Sequence, residues 1–293
     1  MLEVRNLTRV FGDLTAVNDV SFVVPAGSFT GFVGGNGAGK TTTMRMIMGL
    51  LEPTRGDVLW NGRPINSEVR SRMGYMPEER GLYPKQPVLR QLMYLGELYG
   101  MSSTEARNAA TELMTRFGLG ERLKDKLEEL SLGNQQRVQI AAAVMFQPDG
   151  LVLDEPFSGL DPDAVEEMFQ ILNTFTARGV PVLFSSHQLD LVERLCDHIV
   201  ILRKGDMVAS GSVAELKARA ESHHQIVSDS DLGWLRQHPG VTVLDIDNNQ
   251  ASVQFDSSDA EQSVLHEALR RGPVRNFGPV ERPLSHIYRE VTR

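Results

Sequence analysis

A single cysteine, Cys196, occurs among 293 residues. An internal disulfide is therefore excluded, and such sparing use of thiols suits a reducing cytosol. Cys196 lies on the apolar side of a predicted helix, where a cysteine serves as a small core residue. Positive charge is also in short supply: 30 Lys and Arg face 38 Asp and Glu, a formal net charge of −8. Extended nucleic-acid binding, which relies on a basic face, is disfavoured, and no nucleic-acid partner is expected. No apolar run approaches the roughly eighteen residues of a membrane-crossing helix. The opening Met1-Leu-Glu-Val-Arg-Asn also lacks the charged-then-apolar layout of a secretion signal. The expectation is a cytoplasmic chain that neither spans a membrane nor enters one unaided. Internal repeats and low-complexity tracts are absent too.

What is present is a chain longer than one typical domain, with enough residues to bury a substantial core. Short strands are predicted at Leu2 to Val4, Val20 to Val24, Phe29 to Val33 and Val58 to Trp60, the last closed by an Asn61-Gly62 turn. Met44, Ile47, Met48 and Leu51 repeat at helical spacing, and the helix they mark is expected to end at Pro53 and Gly56. Residues 86–146 read as an inserted helical lobe. Val88, Leu92, Leu95 and Tyr99 mark one helix; Ala106, Ala109, Ala110, Leu113, Met114 and Phe117 mark another.

Strands return at Leu151 to Leu153 and Val180 to Phe184. A helix carrying Val165, Met168, Phe169, Leu172, Phe175 and Thr176 separates them, an order that implies a parallel sheet. A hairpin turning at Lys204-Gly205 follows, and Ser212-Val-Ala-Glu215 reads as a capping box. Composition shifts at Glu221-Ser-His-His-Gln225, so the predicted domains are residues 1–220 and 221–293. His223 and His224 read as linker. The second domain is predicted as a small α+β unit: strands Val241 to Ile246 and Ala251 to Phe255, a helix with Val264, Leu265, Ala268 and Leu269, and a last amphipathic piece with Leu284, Ile287, Tyr288 and Val291.

The densest chemistry lies in Gly34-Gly35-Asn36-Gly37-Ala38-Gly39-Lys40-Thr41, a full G-x-x-x-x-G-K-[ST] loop between an apolar strand and a helical pattern, and together with Thr42 it is the candidate nucleotide-binding segment. Gly34, Gly37 and Gly39 can adopt backbone angles closed to other residues, letting successive N–H groups turn inward around the β- and γ-phosphates of a nucleotide. The following helix adds its N-terminal partial charge, Lys40 a full one, and the Thr41 hydroxyl can ligate Mg²⁺.

Further along, Leu151-Val-Leu153 ends in Asp154-Glu155-Pro156, placing two carboxylates at the C-terminal tip of a core strand, where open α/β sheets bind ligands. Asp154 is then the residue for Mg²⁺, directly or through water, and Glu155 the one to polarise a water attacking the γ-phosphate. His187, after the strand Val182 to Phe184, emerges at the same edge with an imidazole suited to contact that phosphate.

Taken together these motifs resemble the ATP-binding subunit of an ABC transporter over residues 2 to 220. The segment Leu130-Ser131-Leu132-Gly133-Asn134-Gln135-Gln136 is similar to that family's Leu-Ser-Gly-Gly-Gln signature, with Leu132 and Asn134 departing from it. Ser158-Gly-Leu-Asp161 is similar to its D-loop. The resemblance implies an α/β fold: a P-loop ABC ATPase core with an antiparallel β subdomain and inserted helical lobe, plus a small C-terminal α+β domain. It implies two subunits, most simply two copies, with each ATP held between one phosphate loop and the other chain's Ser131–Gln135 acting in trans. Ser131 and the Gly133 N–H are further phosphate donors that one pocket does not need.

The resemblance also places Phe11, before Gly12, where an aromatic stacks on adenine. It puts Glu78 in place of a glutamine that contacts Mg²⁺ and links the site to a separately encoded membrane permease. The run Glu78-Glu-Arg-Gly-Leu-Tyr-Pro84 and the C-terminal extension resemble a branch of sodium and drug exporters. The implied location is peripheral, on the inner face of the cell membrane through that permease. The alternative is a soluble relative working on ribosomes or DNA, but such relatives typically carry two cassettes or a long coiled coil, and this sequence has one cassette, no heptad run and a negative net charge.

Overall fold

Short, mostly apolar segments buried along their whole length form the central strands of this protein, as expected where both faces of a parallel sheet are covered. The computed structural model describes residues 1–79, 81–219 and 223–280, together with Leu284, Ser285 and Tyr288. Arg80, Glu221, Ser222, Ile287 and Val291, which figured in the sequence reading, lie outside the described residues.

The order begins with β1 (Leu2–Phe11), β2 (Leu14–Val24), β3 (Phe29–Val33), α1 (Lys40–Ile47), β4 (Arg55–Trp60), β5 (Arg63–Pro64), α2 (Ser67–Arg70) and β6 (Met73–Met76). Strands β2-β1-β4-β5 make an antiparallel sheet with register pairs such as Val4↔Phe22 and Val4↔Val58. Helices α3 (Val88–Leu98), α4 (Ser103–Arg116) and α5 (Leu132–Val144) build the inserted lobe. Ser102 opens α4 with a capping box, its hydroxyl accepting the Glu105 N–H while the Glu105 carboxylate accepts the Ser102 N–H. The elements β7 (Gly150–Leu153), α6 (Pro162–Thr176), β8 (Val182–Ser186), α7 (Leu189–Leu195), β9 (His198–Arg203) and β10 (Asp206–Ser212) complete a six-stranded sheet of order β10-β9-β3-β8-β7-β6. It is parallel except for the β9–β10 hairpin. Every residue of β3, β7 and β8 is buried. One core joins the two sheets around α1, with Val4, Val20, Phe22, Phe32, Met44, Val152, Leu183 and Val200 among its members.

Contacts divide the chain into a first unit ending at Val213 and a second beginning at Ala214, whereas composition alone placed the division after residue 220. The second unit contains α8 (Val213–Arg219, from its second residue on), β11 (His223–Ser228), β12 (Val241–Asp247), β13 (Gln250–Phe255), α9 (Ser258–Arg271) and β14 (Val274–Val280). Its antiparallel sheet has the order β12-β13-β11-β14, and Ile226, Leu235, Ala251, Val253 and Val264 form its core.

Several expectations are corrected. Helix α1 ends at Ile47, not at Pro53: Gly49 takes φ 72, its N–H donates to Met46 O and the Leu50 N–H donates to Arg45 O. That double closure is a Schellman stop, and the left-handed residue it needs is the glycine. Tyr99 caps α3 rather than continuing it and is 39 % exposed, its ring stacked on Phe146. Leu269 on α9 is exposed. His223 and His224 are strand residues of β11, not linker. Strands β5, β6, β11 and β14 were not foreseen.

Candidate nucleotide site at the sheet edge

The C-terminal ends of β3, β7 and β8 meet at one edge of the parallel sheet, so loops distant in sequence converge there. After β3 the phosphate loop turns with Gly37 at φ 75 and Gly39 at φ 102. Gly34 does not share that left-handed geometry. A Cβ there would lie 2.7 Å from Leu202 O and 2.8 Å from the Ala38 Cβ, so close packing against β9 is what requires glycine. The Ala38 N–H donates to Gly35 O, and the Gly205 N–H donates to Ala38 O. Lys40 is buried, its Nζ donating to Gly34 O at 2.7 Å and to Gly35 O at 3.4 Å. The ammonium is thereby fixed at the mouth of the loop.

Phe11, Asn36 to Thr42, Glu78, Asp154 and Glu155 line one cleft of about 780 Å³. Phe11 is 43 % exposed, and the Arg9 guanidinium lies 4.5 Å from its ring centroid. Lys204, in the β9–β10 turn, lines the same cleft and was missed by motif reading. Its signal was present: a lysine before glycine at a hairpin tip, with φ 49 at Lys204 and 91 at Gly205.

Asp154 is fully buried. Its Oδ1 accepts the Ser185 hydroxyl at 2.5 Å, and that hydroxyl accepts the Glu155 N–H at 2.7 Å. Glu155 stands at φ 52, a left-handed conformation that costs a non-glycine residue energy and is held only where surroundings enforce it. Its Oε2 lies 3.0 Å from His187 Nδ1. In the tautomer with the hydrogen on Nδ1 the carboxylate oxygen accepts it, and Nε2 is left for another partner. Burial, and after it the negative charge of Asp154, pushes the Tyr75 hydroxyl above its ordinary pKa.

The donor set also fits a hard cation. The Asp154 Oδ2 is buried without a hydrogen-bond partner, and the Thr41 hydroxyl lies 3.5 Å from Glu78 Oε2. Among the described residues no three His, Cys, Asp or Glu side chains cluster as a metal cage. Mg²⁺ does not need one, since it binds through one or two carboxylates plus substrate phosphates and water.

The signature segment opens α5: Ser131 is its N-cap, the hydroxyl accepting the Asn134 N–H, and the Gln135 amide donates to Leu130 O. Leu132 and Gln136 line a second cleft with Asn36, Glu78, Glu155, Ser158 and His187, whereas Ser131, Gly133 and Asn134 do not line the phosphate cleft. Asp161 caps α6, its Oδ1 accepting the Ala164 N–H.

Residues 17–158 match the ABC transporter family, and residues 211–292 match the C-terminal domain of DrrA1-3-like ATP-binding proteins. The uncharacterized ABC transporter ATP-binding protein YhaQ of Bacillus subtilis (strain 168) is 40 % identical over 99 % of this chain and 98 % of its own length. The chain belongs to the ATP-binding subunits of ABC transporters. This ABC subunit is also 36 % identical to the linearmycin resistance ATP-binding protein LnrL of the same bacterium, over 75 % of this chain and 71 % of LnrL. Its fold superposes on a solved ATP-binding subunit of an ABC transporter with TM-score 0.69 and 34 % identity, covering 75 % of this chain and 92 % of that one. A bacterial ABC transporter cassette solved as a dimer gives TM-score 0.67 and 26 % identity, over 73 % and 99 % of the two chains. The ABC subunit is accordingly a nucleotide-binding ATPase with the P-loop core fold. Among its described residues, no helix is long and apolar enough to cross a membrane.

Proposed function

We propose that this subunit hydrolyses ATP in a head-to-tail pair of cassettes, most simply two copies, and thereby drives a separate membrane permease that exports a small molecule or ion. The observation that carries the catalytic part is that Glu155, Asp154 and Glu78 line the cleft of the phosphate loop, while His187 lines the second cleft beside it and lies 3.0 Å from Glu155 Oε2 through its Nδ1. Gly34 to Thr42 cradle the phosphates, Lys40 neutralises charge, and Phe11 stacks on the adenine. Glu155 accepts the proton of the attacking water, while His187 orients that carboxylate through Nδ1 and contacts the γ-phosphate through its other nitrogen. Thr41, Asp154 and Glu78 would hold Mg²⁺, which when bound neutralises phosphate charge. Ser131 to Gln135 meet the nucleotide of the partner subunit, with Asp161 close to the shared interface.

Support for export comes from a relative named for it, the Nod factor export ATP-binding protein I of Burkholderia lata, 38 % identical over 72 % of this chain and 70 % of its own length. The work reaches the permease through the Glu78 segment and the helical lobe. In this reading the subunit works on the inner face of the cell membrane, held there by the permease. The test is Glu155→Gln, expected to lower kcat by about 10²–10⁴-fold with ATP binding retained. Turnover at the parent rate would overturn the assignment of the base.

A further inference from the structure

Gln136 has no place in the chemistry just described, yet it touches the backbone of the proposed base. Its side-chain Nε2 donates to Glu155 O at 2.9 Å and to Pro156 O at 3.0 Å. Both partners are carbonyl oxygens, which fixes the orientation of the amide: only its NH₂ end can face them.

The rest of the surroundings make that double bond consequential. Glu155 is strained at φ 52. On its N–H side the turn is pinned by Ser185. On its carbonyl side the side-chain donor the structure provides is Gln136. The following residue but one, Phe157, is buried with its ring edge-on to Phe184 of β8, so the loop is anchored downstream as well. Helix α5 is in turn seated firmly on the sheet. A Cβ on Gly74 of β6 would fall 2.2 Å from Ala143 O near the end of α5, an approach that glycine alone permits. The start of α5 packs on the loop that follows the base: an added Cβ on Gly159 would meet the Leu132 Cδ2 at 3.1 Å, and one on Gly133 the Leu160 Cδ2 at 3.2 Å.

We propose that Gln136 is a positioning residue for ATP hydrolysis: it clamps the left-handed Glu155 turn from the carbonyl side and so ties the signature helix of a chain to the proposed base of that same chain. The proposal rests on the reading of Glu155 as the base. If the signature segment of one subunit meets the nucleotide held by the other, the clamp is a route by which each site feels occupancy of its neighbour.

The experiment compares full-length Gln136→Met, which keeps length and removes the donor, with Gln136→Lys, which restores a donor. ATP binding, kcat and thermal midpoint are measured for each, with Glu155→Gln run alongside. The expected result for Gln136→Met is about tenfold lower kcat at unchanged ATP affinity, since small displacements of a reacting group are costly. Gln136→Lys should recover most of that loss. A role confined to packing would lower the thermal midpoint and leave kcat of the folded protein at the parent value; that outcome overturns the proposal, as does a folded lysine variant no faster than the methionine one. Should Gln136→Met not fold, the lysine variant decides alone: near-parent kcat supports the clamp, and a methionine-like tenfold loss overturns it. An inactive Glu155→Gln beside a fully active Gln136→Met removes the clamp and leaves the base standing. A fully active Glu155→Gln removes the base instead.

Discussion

The two sheets that carry the two units differ in how they bring residues together. In the six-stranded sheet, crossovers return each parallel strand in the same direction, so loops that begin near residues 34, 154 and 187 all leave from one edge. In the second unit neighbouring strands are antiparallel, and the β12–β13 tip at Asn248 and Asn249 joins residues already adjacent in sequence. Parallel topology gathers chemistry from distant segments at one edge; the hairpin sheet gathers packing around a small core. The lesson is that catalytic capacity here is a property of strand direction as much as of the residues placed on it.

The sharpest way to break this contrast is to damage the small core and ask whether the sheet edge notices. Leu235→Ala removes a fully buried side chain of the second core, and a loss of about 2–5 kcal/mol is expected in the unfolding of that unit. ATP binding by the first unit should persist. A nucleotide affinity that falls in step with the second unit's unfolding would dissolve the distinction.

A smaller effect sharpens the other side. Ser185→Ala leaves the Glu155 N–H and Asp154 Oδ1 without their shared hydroxyl, a cost of about 1–3 kcal/mol for buried groups left unpaired. Denaturant midpoints give that cost, and kcat should fall by more than the midpoint alone explains, because the same hydroxyl sets the Glu155 turn.

The smallest effect is electrostatic. The Arg275 guanidinium, hydrogen-bonded to Asp229, holds that carboxyl below its ordinary pKa. A depressed folded-state pKa contributes stability above the unfolded carboxylate value and loses it as pH falls through the folded one. Asp229→Asn should therefore flatten the acid side of the stability curve of the second unit slightly, the pair being exposed to solvent and screened. Urea midpoints taken between pH 6 and 3 check it.

Much of the first unit was legible because its signals are local. The phosphate loop occupies eight consecutive residues, and β3, β7 and β8 are short, mostly apolar runs. Strand β14 was missed because Gly278 and Pro279 read as breakers; it lies at a sheet edge, where an absent N–H is tolerated. Strand β11 was hidden by His223 and His224, and His224 is accommodated by packing on Phe255 and Phe277. Short β6 was masked by Gly74, whose missing side chain admits α5. Least legible were the bonds of Ser185 and Gln136, which join a side chain to backbone 30, 19 and 20 residues away. No periodicity encodes such contacts; only the assembled sheet edge reveals them.

Cys196 sits at the end of α7 with its sulfur pressed toward Gly31 of β3, where an added Cβ would lie 2.8 Å from it. Burial, and secondarily the charge of Asp197, raises its thiol well above the ordinary value. The chain thus contains a lone internal chronometer: a thiol-reactive dye can mark it only when α7 lifts from the sheet, so the labelling rate counts how often the ATPase core breathes.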